Sequence, residues 1–213
     1  MKSILNLPQR KVPDVLAFIL STLFVPPITT LAAYMMFLVL IEDRIPQRWM
    51  FIADIFVFSI LIPVGAYFYL MSVKKIKSID AEHKEERNLP YMITTTSLAL
   101  GFIALLFTDV HDGLKLLLFG YLILSLIVFG INLFWKISAH ASTLSAPVGA
   151  FLFLHLQYGV FHPSFFLIMG LLLVAVGWSR VFLKFHTVMQ VIAGTLLGFT
   201  VMFACLSLLM VIV

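Results

Sequence analysis

Residues 114–135 read Leu-Lys-Leu-Leu-Leu-Phe-Gly-Tyr-Leu-Ile-Leu-Ser-Leu-Ile-Val-Phe-Gly-Ile-Asn-Leu-Phe-Trp. One lysine near the start is the only charge in the run. A helix of this length rises about 33 Å, enough to cross the roughly 30 Å hydrocarbon core of a bilayer. The rest of the chain follows suit. Of 213 residues, 62% are hydrophobic and 11% charged, with a mean hydropathy of +1.10. A soluble domain of this size cannot hide so much apolar surface. The net charge of +4 sits in the connections, so it bears on membrane topology and not on nucleic acid.

Working outward, seven apolar spans are predicted, at about 14–41, 51–73, 91–108, 114–135, 143–159, 164–178 and 187–213. The fold class is therefore all-α, a polytopic helix bundle of one integral membrane domain over residues 1–213. Six spans result if the short fifth or sixth is re-entrant. Pro26-Pro27 is expected to kink the first span and Pro63 the second, while Pro147 falls in the first turn of the fifth. Alternate connections carry eleven and three of the 14 Lys and Arg residues. The positive-inside rule places the richer set in the cytoplasm: the N-terminus, 74–90, 136–142 and 179–186. Tyr91, Trp135 and Trp178 adjoin this set, as headgroup-level aromatics do.

Three polar clusters lie in these same connections: Arg87-Asn88-Leu89-Pro90, Ser138-Ala139-His140, and Ser179-Arg180 with His186. Their residue types suit phosphate chemistry. Guanidinium forks of Arg87 and Arg180 can grip non-bridging oxygens. Ser138 offers a hydroxyl, and the Ala139 and His140 amides lie at a helix N-terminus, which attracts anions. One neutral histidine can attack phosphorus while the other supplies a proton to the leaving group.

Other polar residues read more plainly. Lys184 suits interfacial snorkelling, and His155, Gln157 and His162 suit the opposite interface. Asp109-Val110-His111-Asp112 lacks a fourth metal ligand. Asp54 lies about a turn inside the second span and suits a headgroup-level role, although an intramembrane carboxylate is a functional candidate by default. Gly194-x3-Gly198 suits helix packing. Cys205 reads as a small packed hydrophobe.

The clusters resemble the motifs of the type 2 phosphatidic acid phosphatase and vanadium haloperoxidase superfamily. That family carries Lys-x6-Arg-Pro, Pro-Ser-Gly-His and Ser-Arg-x5-His-x3-Asp. Here Ser179-Arg180 and His186 keep the third motif's identity and spacing, and Ser138 and His140 keep two residues of the second. Arg87 keeps the first motif's arginine, with the proline displaced to Pro90. The resemblance spans residues 80–190, within a motif-bearing core of about 74–213. It implies His186 as nucleophile through a phosphohistidine, His140 as general acid and then base, and Arg87, Arg180, Ser138 and the Ala139 amide as the phosphate cradle. It implies no metal and no cofactor. The expected substrate is a lipid phosphate or prenyl diphosphate, drawn from the bilayer of the cell (inner) membrane to a site at the cytoplasmic face.

Two positions depart from the family. Asp80 replaces the lysine, for which Lys84, Lys136 or Lys184 can substitute; Lys136 is favoured because it lies two residues before Ser138. Gln190 replaces the carboxylate that orients the nucleophilic histidine. Its amide oxygen, one helical turn on, can still fix the His186 tautomer but supplies no negative charge. A slow hydrolase follows, with a non-catalytic phospholipid-binding or accessory protein as the alternative. A transporter is a third reading, opposed by the lack of paired broken helices related by a repeat.

Overall fold

The computed structural model describes residues 12–77, 83–208 and 210. Among these the chain is helical, with no strand: α1 (Val12–Leu23), α2 (Pro26–Ile41), α3 (Ile45–Asp54), a π-helical segment (Ile55–Leu61), α4 (Ile62–Ser72), α5 (Lys84–Leu106), α6 (Asp112–Phe134), α7 (Ala139–Tyr158), α8 (Pro163–Phe182) and α9 (Val188–Ser207). Helices are the expected solution for an apolar chain, because every backbone amide and carbonyl is satisfied within the segment.

Five helical stretches are long and apolar enough to cross a membrane: Ile45–Ser72, Lys84–Leu106, Asp112–Phe134, Pro163–Phe182 and Val188–Ser207. A sixth arises if α1 and α2, bent by 54° at the break over Phe24-Val25 just before Pro26-Pro27, count as one broken span. The chain is thus a multi-pass membrane protein by helix length and composition, with five or six candidate spans where the sequence suggested seven. The difference lies in α7. It has 20 residues, but Ser142, Thr143, Ser145 and three residues at its ends, His140, His155 and Gln157, dilute its apolar character. It buries twelve side chains instead, including Ala146, Ala150 and Phe151. Most of this helix is buried by the rest of the chain.

One proline expectation also changes. α7 begins at Ala139, so Pro147 stands inside the helix and not in its first turn. Ser138 starts the helix early by capping it, and Thr143 Oγ1 donates to the Ala139 carbonyl at 2.9 Å. At Pro63 the stretch Ile45–Ser72 stays helical, and the residues before the proline widen into the π segment. A wider turn relieves the clash between a proline ring and the carbonyl four residues earlier.

α7 packs most extensively on α9, through glycines. A Cβ at Gly194 would come 2.6 Å from the Ser138 carbonyl oxygen. One at Gly198 would collide with the Ser142 carbonyl, and one at Gly149 with that of Phe199. Gly194 and Gly198 therefore serve packing within the chain, in line with their spacing. This close approach puts the starts of α7 and α9 side by side, and the Ser138 N–H donates to the Gln190 carbonyl at 3.3 Å.

Candidate functional site

The third motif explains its own spacing. α8 ends in a Schellman turn: the Phe185 N–H donates to the Arg180 carbonyl at 3.0 Å and the Lys184 N–H to that of Val181 at 2.9 Å. The His186 N–H also reaches the Arg180 carbonyl, at 3.1 Å. Five residues separate Arg180 from His186 because one turn folds the histidine back beneath the arginine. Lys184 supplies the left-handed residue of the turn, with φ of 61°. It is exposed there, a surface role consistent with snorkelling and not with the phosphate cradle. The same turn closes α4, where Lys74 has φ of 58° and the Lys75 N–H donates to the Leu70 carbonyl.

Gln190 sits in the first turn of α9 and has two jobs. With Thr187 it forms a capping box: the Gln190 N–H donates to Thr187 Oγ1 at 3.3 Å and the Thr187 N–H to Gln190 Oε1 at 3.1 Å. The same Oε1 lies 3.1 Å from His186 Nδ1. A backbone N–H can only donate, so the amide atom facing Thr187 is the oxygen. An oxygen can only accept, so His186 Nδ1 carries the proton. The lone pair of the neutral ring is thereby placed on Nε2. That atom is buried and has no hydrogen-bond partner among the described residues.

His186 is 5% exposed. Burial first, then the positive charges of Arg87, Arg180 and Lys136, push its pKa from the ordinary 6.5 down to about 3, against a small upward pull from Gln190. The ring is neutral at pH 7. The three cations named as acting on it come from α5, α8 and the α6–α7 connection, so Arg87, 99 residues away in sequence, and Lys136, 50 residues away, share one place with it.

His140 completes the group. Arg180, His186 and Arg87 all act electrostatically on its ring, and the ring hydrogen-bonds the backbone carbonyl of Ser21 in α1. Its Nε2, like that of His186, is buried without a hydrogen-bond partner among the described residues. Arg180 is 1% exposed, lies 4.5 Å over the Phe185 ring, and donates through Nη1 to Ser21 Oγ. Arg87, 6% exposed, is in the first turn of α5. Ser138 is fully buried, and its Oγ accepts from the Ala141 N–H at 3.3 Å as the α7 N-cap. Its hydroxyl hydrogen is still able to donate elsewhere. Ala139 and His140 follow as the first residues of α7, where amides lack intrahelical partners. Asp80 lies outside the described residues.

Three features were not apparent in the sequence. Ser21 looked like one hydroxyl among many, yet it touches both Arg180 and His140. Fully buried Asn132 in α6 donates through Nδ2 to the Lys84 carbonyl at 2.8 Å and to Asn88 Oδ1 at 2.9 Å, tying the start of α5 and hence Arg87 in place. Lys84 Nζ caps the carbonyl of Leu133 at 3.0 Å, so it holds a helix end. At the other end of the bundle Glu42, 1% exposed, pairs with Arg44 at 2.8 Å and accepts from the His111 N–H at 2.9 Å. His111 and His162 accept through Nδ1 from Gly113 and Ser164 amides as N-caps of α6 and α8. Among the described residues, no group of three His, Cys, Asp or Glu converges as metal ligands.

The fold and site define a class: a multi-pass helical membrane protein with two histidines and three cations clustered where five helix ends meet. Comparison with protein-family models, with curated proteins and with solved structures finds no match.

Proposed function

We propose that this protein is a membrane-embedded phosphatase acting on a lipid phosphate or diphosphate through a phosphohistidine at His186. One observation carries the reading: a buried neutral histidine with Nδ1 anchored on Gln190, its Nε2 lone pair uncommitted, and Arg87, Arg180 and Lys136 around it. Three cations would balance a phosphate dianion and the charge on phosphorus in the transition state. Lys136 takes the place of the family's lysine.

In this mechanism Nε2 of His186 attacks phosphorus in line as the P–O bond to the lipid breaks. His140, holding a proton on Nε2 once the phosphate dianion offsets its arginine neighbours, passes it to the leaving alkoxide. Neutral His140 then takes a proton from water, which attacks phosphorus and releases inorganic phosphate and His186. Gln190 fixes the tautomer throughout. It lacks the charge to stabilise the positive ring of the intermediate, so turnover is slow relative to a carboxylate in its place.

Ser21 occupies Arg180 and His140 from α1, so the substrate phosphate takes over these contacts as α1 withdraws about its bend at Phe24-Val25. The site faces the cytoplasm in this proposal, and the lipid tail stays in the bilayer. The second reading, a phospholipid-binding protein without turnover, draws on Gln190, whose capping box explains the residue without catalysis.

The deciding experiment is phosphate release by purified protein in detergent, over a panel of lipid phosphates and diphosphates. Wild-type release that vanadate inhibits and His186→Ala lowers by on the order of 10⁴ or more supports the mechanism. Release untouched by His186→Ala refutes the histidine nucleophile, and no release from any lipid favours the binding reading.

A further inference from the structure

Helix α1 ends where the prolines make it end. Pro26-Pro27 opens α2, and the two residues before it, Phe24 and Val25, lie in neither helix. A residue before proline is pushed into extended backbone, and Val25 has φ of −64° and ψ of 149°. The last carbonyls of a helix have no N–H further along to bond. Ser21 lies in that last turn, so its carbonyl is open to a partner from another helix.

That partner is His140, whose ring hydrogen-bonds the Ser21 carbonyl. A carbonyl only accepts, so the ring nitrogen that meets it carries the proton. Nε2 has no hydrogen-bond partner among the described residues, which places the bond at Nδ1. His140 is thus held as His186 is, with Nδ1–H on a fixed oxygen and the lone pair on buried Nε2. Gln190, which holds His186, is a side chain that motif spacing points to. The oxygen that holds His140 is backbone, and no residue type marks it.

The carbonyl is held in place from both sides of the helix break. Ala17 and Ser21, one turn apart, are the buried residues of α1, which packs on α8. Ser21 Oγ accepts from Nη1 of Arg180 near the end of α8. Beyond the break, Thr29 Oγ1 lies 3.1 Å from Thr143 Oγ1, near the starts of α2 and α7. The end of α1 is fastened to the helix that carries Arg180, and the start of α2 to the helix that carries His140. A helix C-terminus also bears partial negative charge, which favours the positive form of a ring bonded to it.

We infer that the main-chain carbonyl of Ser21, at the broken end of α1, is the positioning group of His140, fixing its proton on Nδ1 and turning Nε2 toward the reacting oxygen. The role in the reaction rests on the phosphatase reading above; the hydrogen bond and the tautomer do not. In that reaction α1 opens to admit the phosphate and closes behind it. On closure the Arg180 contact of the Ser21 hydroxyl has passed to phosphate, and the carbonyl resumes its hold on His140. The Nε2 proton of the His140 cation goes to the alkoxide oxygen as its bond to phosphorus breaks, while the Nδ1 proton stays on the Ser21 side. Water returns a proton to Nε2 as its oxygen joins phosphorus.

The test weakens this carbonyl without changing a side chain. An ester in place of the Ser21–Thr22 amide, made in the full chain with the α-hydroxy acid analogue of threonine, leaves a poorer acceptor at Ser21. An ester at Thr22–Leu23 is the control: it costs α1 the same kind of helix bond and spares the Ser21 carbonyl. Ring ¹⁵N shifts of histidine-labelled protein in detergent should show His140 protonated at Nδ1 in wild type and control. The Ser21 ester should give a mixture of His140 tautomers, with His186 unchanged. In the first turnover this ester should slow alcohol release from an alkyl lipid phosphate by about tenfold more than nitrophenol release from p-nitrophenyl phosphate, since nitrophenolate leaves without a proton. A wild-type His140 protonated at Nε2, a tautomer unmoved by the ester, or equal slowing of both substrates would overturn the inference. The expected tautomers in a protein that hydrolyses neither substrate would refute the phosphatase reading and uphold the Ser21–His140 bond.

Discussion

At the residue scale, Gln190 carries the sharpest question. Its side-chain oxygen serves a helix cap and a histidine at once. Gln190→Ala removes both contacts and should cost about 1 kcal/mol of stability together with most turnover. Gln190→Asp keeps both acceptor roles and adds charge, and kcat should rise by on the order of 10². A fall in kcat with Asp would mean that the site is tuned to an amide. Lys184 is the complementary case. It holds a left-handed backbone conformation that favours glycine, so Lys184→Gly should stabilise by about 1 kcal/mol and leave phosphate release intact. Loss of release in that variant would put Lys184 into the phosphate cradle.

The sequence made His186, Gln190, Arg87 and Arg180 visible because their spacing matches a known pattern. It could not show that Gln190 Oε1 is an acceptor for Thr187 as well, since that depends on how α9 begins. Nor could it rank the lysines. Lys136 acts on His186, Lys84 caps α6 and Lys184 shapes a turn, and these differences are set by backbone geometry.

At the element scale, the α7–α9 contact sets the distance between His140 and His186. Gly198→Ala would force a methyl into the Ser142 carbonyl, and overpacking of this kind should destabilise by about 1–3 kcal/mol. Phosphate release should fall with it, because His140 stands on α7 and His186 lies just before α9; circular dichroism melts beside activity would separate the effects. Helix α1 behaves differently. Its buried residues are Ala17 and Ser21, and it packs against α8. Ser21→Ala removes the hydroxyl that meets Arg180, and KM should drop severalfold as the phosphate no longer competes with it. An unchanged KM would separate α1 from substrate entry. The apolar run 14–41 and the prolines at 26 and 27 predicted a kinked span, but not what α1 covers.

At the scale of the whole molecule, acid is the natural stress. The folded-state pKa of His186 lies near 3, below the ordinary 6.5. Between those values the unfolded chain binds the proton and the folded chain does not, so this contribution to stability is full above pH 6.5 and is lost as pH falls toward 3. Glu42 adds to it: burial raises its pKa, but hydrogen bonds from Arg44 and from the His111 and Arg44 amides hold it below the ordinary 4.5. Its contribution is lost as pH falls through that range. Unfolding midpoints should therefore decline progressively below pH 6.5, and a flat profile to pH 4 would contradict a buried neutral His186. Orientation is tested by cysteine labelling of intact cells. Glu82→Cys should resist impermeant reagents and Asp112→Cys should react; the reverse pattern would turn the site outward.

Composition, with continuous apolar runs about 20 residues long, pointed by itself to helices in a bilayer, since barrel strands are shorter and alternate polar with apolar residues. Motif spacing, through its resemblance to a known pattern, singled out two histidines and two arginines, and the fold brings these four together. Tertiary structure decided the rest. It buried most of α7 within the bundle, because glycine contacts let α9 approach it. It chose Lys136 and recruited Ser21. These outcomes depend on which helix faces meet, and hydropathy along a chain records burial from water without distinguishing lipid from protein.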